Sequence, residues 1–549
     1  MLCLRPSKSK HLVRIFSSRN IFLFHTMEIN KSNFEEGLTA FNSSLSSPSC
    51  RFIAMDTEFT GLSVSSSSRE EYIDTLEERY TKLRQVGKSF IVNQMGLTLV
   101  HEKDGVWKTE TFTFYLFPRP YDALDNRFMC QASSLEYLAT HGFDFNKFIK
   151  DGISYMTRKS QKKMKEKMSK AIKNKKSPSR NITVDTKSDK MFVSAITEQM
   201  KAFMENEDEE LIITESNSFR RLLIHHIVSS KCKGLFSEKF EKNTLRILKL
   251  SPEEIKERND KKVEELESAL SEAIGFSRVI ELLIEKQLPI VGHNALLDLL
   301  YTYHQFIDEL PENLSEFKEK ISQAFPHVYD TKHIVRTSPL DEKFTSSALG
   351  ALYDDFNENI TAVNFSELWE EQFDEMPAKQ QAHDAGFDSF MTAMVFLGAA
   401  SSAEDEVEWT IPTKFTNTLP LSKLAPFENK LNLMFSDASA LDLSDTHQIV
   451  DRSNAYAVHP PKDEEGKNVS TKYNFYELFD KQEIFKVLRP RNYESPWIVF
   501  LKNPLTCLEM TSFEKEHKES SMESYNAYVT SCEAKKNQVE ESTGYCVIC

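Results

Sequence analysis

The run Arg51-Phe52-Ile53-Ala54-Met55-Asp56-Thr57-Glu58-Phe59 constrains the fold of this chain more than any other segment. It is apolar and β-prone, and side chains alternate along a strand, so Phe52, Ala54, Asp56 and Glu58 share one face. Two carboxylates on the same side of an apolar strand repel each other. Unless solvent or a cation intervenes, one of them must stay protonated. The strand is therefore expected to end beside water or a metal ion, and two solvated acids at an exposed strand end would satisfy the pattern as well.

Two further segments carry chemistry. In Ile290-Val291-Gly292-His293-Asn294-Ala295-Leu296-Leu297-Asp298 a short strand gives way at glycine to a helical pattern. Asn294 and Asp298, four residues apart, are expected on one helix face that meets either water or a ligand. In Gln381-Ala382-His383-Asp384-Ala385-Gly386-Phe387-Asp388 the following Phe390, Met391, Met394, Val395 and Phe396 predict a helix. Five helical residues turn through about 500°. His383 and Asp388 can thus serve one site only if His383 precedes the helix, whose start Gly386 marks; a capping or packing role for His383 fits equally.

In order and local context these segments resemble the DEDD exonucleases of the histidine subclass, within the ribonuclease H-like superfamily, and more closely the poly(A)-specific ribonuclease family. The likeness runs through Met27-Glu28-Ile29-Asn30-Lys31-Ser32-Asn33-Phe34, Glu77-Glu78-Arg79-Tyr80, Phe143-Asp144-Phe145-Asn146, Ile274-Gly275-Phe276-Ser277-Arg278-Val279-Ile280 and Leu314-Ser315-Glu316-Phe317-Lys318, to about residue 400. The resemblance implies an α/β fold: a ribonuclease H-like mixed-sheet nuclease core, an inserted small Arg-xxx-His nucleic-acid-binding domain and a C-terminal degenerate RNA-recognition-motif-like α+β domain. It implies Asp56, Glu58, Asp298 and Asp388 as ligands of two Mg²⁺ ions, with Mn²⁺ as a substitute, and His383 as general base. Hard divalent ions prefer carboxylate and phosphate oxygens. A pair roughly 4 Å apart can activate water and stabilise the leaving 3′ oxygen, and an imidazole with a pKa near ~6.5 can take the proton at neutral pH.

The implied activity is 3′-to-5′ hydrolysis of single-stranded RNA 3′ ends to 5′-mononucleotides. Poly(A) deadenylation is the first reading; trimming of small regulatory (piRNA-like) or other noncoding RNA precursors is the second. A catalytically inactive RNA-binding scaffold is the reading from another class. By the same resemblance Phe59, Leu62, Asn294, Leu297 and Lys332 match positions that hold the RNA 3′ end, and Leu135, Tyr137 and Leu349 match others. A homodimer in cytoplasm or nucleus is implied as well.

The rest of the chain is organised around this core. Phe90 to Val100 and Trp107 to Phe117, joined by Asp104-Gly105, predict a hairpin. A gap of about 240 positions between Glu58 and Asp298 exceeds one excursion of the fold and predicts an insertion. We expect nuclease segments at 27–155 and 263–402, a basic arm and inserted domain at 156–262, a linker at 403–428, the RNA-recognition-like module at 429–513 and a tail at 514–549. The arm, from Arg158 to Arg180, reads as a basic helix or a disordered segment, and as a solvated linker, an RNA-phosphate contact or a localisation signal. Arg221 and His225 share a helical face available to a phosphate or a base. In the C-terminal module, family members carry a cap-stacking tryptophan where this chain reads Phe485-Lys486-Val487-Leu488, which argues against cap binding unless Trp497 compensates.

Residues 1–26 are basic, acid-free and serine-rich, as in a transit peptide or the product of an alternative start codon; the former would add mitochondria to the compartments. Cys546-Val547-Ile548-Cys549 reads as a prenylation-like ending, half a zinc site or a disordered tail. The formal charge of −15 over 549 residues excludes a uniformly basic nucleic-acid surface, so binding must use local patches. No apolar run reaches the length of a membrane span.

Overall fold

The computed structural model describes residues 25–531 except 65–73, 123, 177–181, 360–373, 376–382, 404–408, 410–411, 413–415, 435, 437, 451, 460–483, 489–495, 502, 517–520 and 529. The first 24 residues, Gln381-Ala382 and the terminal cysteine pair discussed above lie outside the described residues. By its contacts the chain forms two compact units, 1–153 with 278–549, and 154–277.

The strand Cys50–Phe59 forms as its alternation predicts and pairs antiparallel with Val92–Lys103, which pairs with Val106–Tyr115. Asp104 and Gly105 both take positive φ (55° and 76°), the geometry of a two-residue hairpin turn. On its other edge Cys50–Phe59 pairs parallel with Ile290–Gly292, which pairs parallel with Val328–Asp330. The strand His25–Ile29 adds parallel to Val106–Tyr115, and Asp374–Glu375 closes a seven-stranded mixed sheet. This is the ribonuclease H-like α/β arrangement, a meander continued by parallel strands.

The helix Ala385–Ser402 is buried along nearly its whole length and packs on the meander, its Phe390, Met394 and Phe396 meeting Phe52, Ala54 and Val100. That burial lies on the strand face that also carries Asp56 and Glu58, so the acids continue the line of the core to its edge. None of the described helices is long and apolar enough to cross a membrane.

Two features of the C-terminal region differ from the expected boundaries. Lys430–Asn432 and Ala440–Asp442 form a two-stranded hairpin that joins the nuclease core instead of the later sheet. Asn429 Nδ2 donates to Pro326 O at 2.9 Å, and the buried Lys318 Nζ donates to Asp445 O at 2.8 Å. The separate four-stranded antiparallel sheet begins at Ala455 and ends with Ser521–Ser524, in what reads from sequence as tail. Ser-Met-Glu-Ser has no strand signature of its own, and pairing with Ala455–His459 makes it a strand. The order fourth-first-third-second, with helix Cys507–Glu516 between the last two strands, follows the split βαβ pattern. Tyr473 to Phe479 lie outside the described residues. Trp497 packs against the sheet core beside Val487, Leu505 and Met510, which makes it a packing residue before a stacking platform.

The unit 154–277 has its own core. Helices Lys187–Glu205 and Ser218–Lys231 cover a three-stranded antiparallel sheet of Glu210–Thr214, Thr244–Lys249 and Leu235–Lys239, burying Met200, Phe203, Ile224, Ile227 and Ile247.

Candidate active site

The site is built where Cys50–Phe59 ends. Across the ladder Asp56 faces Gly96 and Glu58 faces Gln94. A Cβ at Gly96 would lie 1.8 Å from the carbonyl oxygen of Ala385, so only glycine lets the start of Ala385–Ser402 rest on the meander backbone. Gln94 then holds that start: its Oε1 accepts from Ala385 N at 2.9 Å, and its Nε2 donates to Asp384 Oδ2 at 2.9 Å. Asp384 caps the helix, its Oδ1 accepting from Gly386 N (3.0 Å) and Phe387 N (3.2 Å). Gly96→Ala should therefore lift the helix start. We expect a loss of about 1–3 kcal/mol of stability by urea denaturation, accompanied by loss of nuclease activity in the protein that remains folded.

His383 precedes the helix, at φ 74°, and Asp388 falls in its first turn, so the condition for the two to share a site is met. Asp384 sets the helix start. Gly386, read from sequence as that marker, instead provides clearance: a Cβ there would lie 1.9 Å from Thr113 Oγ1.

Asp298 arrives from helix Leu296–Thr302, and Thr57, on the other face of the acidic strand, donates to its Oδ1 at 2.5 Å. The expected helical pairing of Asn294 with Asp298 does not form. Asn294 lies before the helix at φ 62° because the buried Asp330 carboxylate accepts from the amides of Asn294 (2.9 Å) and Ala295 (3.2 Å) and so bends the backbone there. The Asn294 side chain instead accepts from Asn432 Nδ2 at 2.7 Å.

Burial, followed by the neighbouring Asp388, raises the carboxyls of Asp56 and Glu58 well above the ordinary range; Asp298 and Asp384 push the same way. Burial pushes Asp388 up to about 7 and Asp298 up to about 6, the latter opposed by the Thr57 hydrogen bond. Burial and the adjacent His141 lower His383, so its imidazole is neutral at neutral pH. Glu58, His383 and Asp388 can each offer one ligand atom, all within 4.8 Å of one another. Among the described residues, Asp388 Oδ1 is buried without a hydrogen-bond partner. Hard oxygen donors, mutual repulsion and an orphaned oxygen suit a divalent cation. Asp56 and Asp298 are electrostatic neighbours in this set but not members of its closest group.

The residues matched to substrate positions fall into distinct places. Phe59 stacks on Tyr301 with ring centroids 4.5 Å apart, and Leu62 is 51% exposed just beyond it. Leu297 is half-buried on the Asp298 helix, and Lys332 follows Asp330 at the start of Thr331–Thr337. Tyr137 reaches the site directly, its hydroxyl 2.7 Å from His383 Nε2, and Leu135 lies on the same helix, Ala132–Thr140. Leu349 packs into the core around Leu352 and Phe356. Arg221 and His225 share the helix Ser218–Lys231, each with one nitrogen engaged inside the unit. Arg221 Nη1 donates to Glu215 O, Ser216 O and Asn243 Oδ1 (2.6, 2.8 and 3.1 Å), and His225 Nδ1 lies 2.7 Å from Ser237 Oγ.

Sequence reading passed over Gln94, Asp384, His141, Asp330 and Asn432. Asp384 carried a usable signal, an aspartate at a helix start. His141 stands one turn beyond Tyr137, its ring 4.2 Å from that of His383. The others are common residue types that only long-range contact singles out.

Residues 29–396 match the model of the CAF1 family ribonucleases. The chain is 30% identical over 462 residues to the poly(A)-specific ribonuclease PARN of Xenopus laevis, covering 80% of this chain and 72% of that protein. It is 28% identical over 442 residues to the pre-piRNA 3′-exonuclease trimmer of Bombyx mori, covering 76% and 79%. The solved structure of S. pombe Pop2p in its Mg²⁺ and Mn²⁺ bound form aligns with 72% of this chain and 98% of its own at 15% identity, with a TM-score of 0.33. A match over most of the nuclease core, joined to one that extends beyond it, places the chain in the CAF1 family of ribonucleases, among its poly(A)-specific ribonuclease members.

Proposed function

We propose that the chain is a divalent-cation-dependent 3′-to-5′ exoribonuclease that shortens single-stranded RNA 3′ ends, with poly(A) tails as its principal substrate. The observation that carries this reading is the convergence of Asp56, Glu58, Asp298, Asp388 and His383 around one strand end, where the carboxyls are raised and one oxygen lacks a partner among the described residues.

Asp56, Glu58, Asp298 and Asp388 would hold two Mg²⁺ ions, with Mn²⁺ as a substitute. When bound, they would supply Lewis-acid activation and charge stabilisation at the scissile phosphate. His383, neutral at working pH, takes a proton from the attacking water as the new P–O bond forms and the P–O3′ bond breaks; the leaving 3′ oxygen is protonated from solvent. Tyr137 holds the imidazole through its hydroxyl. Phe59 and Leu62 offer apolar surface to the terminal bases, while Asn294 and Lys332 contact sugar and phosphate. Such a pocket reads base identity softly, since stacking needs no hydrogen bond to a base edge.

Trimming of small-RNA precursors is the second reading, favoured by the match to 79% of the length of the Bombyx mori trimmer. The test is hydrolysis of 5′-labelled RNA with poly(A) or mixed-sequence 3′ ends. We expect a ladder shortening by single nucleotides, release of 5′-mononucleotides, silence in chelator and recovery on adding Mg²⁺. Faster shortening of the poly(A) end supports deadenylation, and equal rates support trimming. Internal cleavage, or activity undiminished by chelator, would overturn the proposal. Homodimerisation, implied by the family, is checked by sedimentation of the same preparation.

A further inference from the structure

The helix Arg158–Lys176 has ten basic residues and one acid, Glu166, in a chain whose net charge is −15. It is not a loose arm. Met164 is 5% exposed and Met168 half-buried, so one apolar stripe anchors it within the unit 154–277, where it packs against helix Pro252–Ile274. The remaining circumference is basic: Arg158, Lys159, Lys162, Lys163, Lys165, Lys167 and Lys170 are all exposed. Several of these stand three or four apart, as like charges that repel on a helix surface.

Several arginines of the same unit meet acids. Arg220 lies 3.1 Å from Asp189, Arg246 lies 2.6 Å from Glu238, and Arg258 lies 3.3 Å from the same glutamate. Residues 154–277 hold 26 basic against 20 acidic residues, whereas the helix alone holds ten against one, so the excess positive charge of the unit resides in this helix. Arg221 Nη1 and His225 Nδ1, on the helix that sequence reading puts forward for nucleic acid, make internal hydrogen bonds.

We propose that the exposed face of Arg158–Lys176 binds the phosphate backbone of single-stranded RNA, independently of the nuclease site. Charge complementarity to a polyanion carries the choice of partner, and the choice of RNA rests on the reading of this chain as a ribonuclease. An anionic membrane surface fits less well. Interfacial helices bury large apolar side chains, and here the exposed positions between the basic residues are Glu166 and Ser169.

The test uses the full chain in chelator, so that binding is read without hydrolysis, and compares wild type with Lys162→Gln/Lys163→Gln/Lys165→Gln/Lys170→Gln by fluorescence anisotropy. With a labelled single strand of about 25 nucleotides, each lost phosphate contact should reduce the slope of log K against log salt by about 0.7, so for the four lysines we expect a reduction of roughly 3 and at least about tenfold weaker binding at low salt. An unchanged slope overturns the proposal, as does a loss confined to phosphatidylserine vesicles with RNA binding intact. Should the variant fail to fold, acetylation footprinting of the wild type decides: RNA should protect these four lysines, and equal labelling with and without RNA overturns the assignment. Hydrolysis of an RNA of about four nucleotides in Mg²⁺ by the same variant, whose nuclease residues are unaltered, reports on the nuclease reading separately.

Discussion

Asp56→Asn should make the metal-free protein harder to unfold while abolishing its nuclease activity. Asp56 is half-buried at the strand end, burial raises its carboxyl, and the groups acting on it are Asp388, Asp298, Glu58 and Asp384, all acids. Neutralising it removes a desolvated charge and its repulsions, worth on the order of 1–3 kcal/mol without metal. Activity should fall by roughly 10³-fold or more, as when one member of a concerted catalytic set is removed.

The sign of the pH dependence follows. These acids have folded-state pKa values above the unfolded ones, so the folded protein binds more protons. Their contribution to stability is complete below about pH 4 and is lost as pH rises through the folded values. With Asp298 at about 6 and Asp388 at about 7, the metal-free wild type should lose stability as pH rises from about 4 to about 7. Asp56→Asn, which lacks one of the raised acids and its repulsion of the others, should lose less over the same range. Mg²⁺ favours the ionised acids and should reverse the ordering at pH 7.5 by binding only the folded state. Thermal unfolding of both proteins across this range, in chelator and in Mg²⁺, checks each part. A variant less stable than wild type throughout, or one stabilised equally by Mg²⁺, would falsify the assignment of Asp56 to the cation site.

The second large effect is expected at Asp330, outside the set of ionisable site residues. Its carboxylate is fully buried and accepts five backbone amides: Asn294, Lys332 and His333 on Oδ1 (2.9, 2.9 and 3.2 Å), and Ala295 and Asn432 on Oδ2 (3.2 and 2.9 Å). Burial raises its pKa, while those amides pull it down. This one side chain therefore joins the loop before Asp298, the start of the Lys332 helix and the hairpin beginning at Lys430. Asp330→Ala leaves five donors without an acceptor, and because water can fill part of the space the net cost should be about 3–5 kcal/mol rather than the sum of five bonds. Asp330→Asn keeps one acceptor but turns an amide toward donors, and should fall between the two. Urea midpoints of the three proteins test the order. Asn432→Ala, which keeps the backbone amide and loses only the bond to Asn294, should raise KM for RNA with little change in midpoint.

Much of the nuclease core was legible because its signals are local. Alternation put Asp56 and Glu58 on one face, Asp104-Gly105 marked the hairpin, and the turn per helical residue required His383 to precede its helix; each depends on positions within a few residues. Asn294 shows where that reasoning stops. Spacing put it on a helix with Asp298, but Asp330, some thirty-six residues on, captures the adjacent amides and bends the chain first. The Ser521–Ser524 strand and the Lys430–Asn432 hairpin were misassigned for the same reason, since pairing with distant strands, not their own composition, decides what they are.

The sequence by itself determined which acids could act together, the histidine that could accompany them and the family to which they belong. Only the tertiary structure decided how they are held: Gly96 and Gln94 seating the Asp388 helix, Thr57 engaging Asp298, and Tyr137 and His141 enclosing His383. Close approach between residues more than a hundred positions apart leaves no periodic trace in a single chain, and the shifts that make these carboxylates suited to a cation come from burial and neighbours that exist only once the sheet is closed.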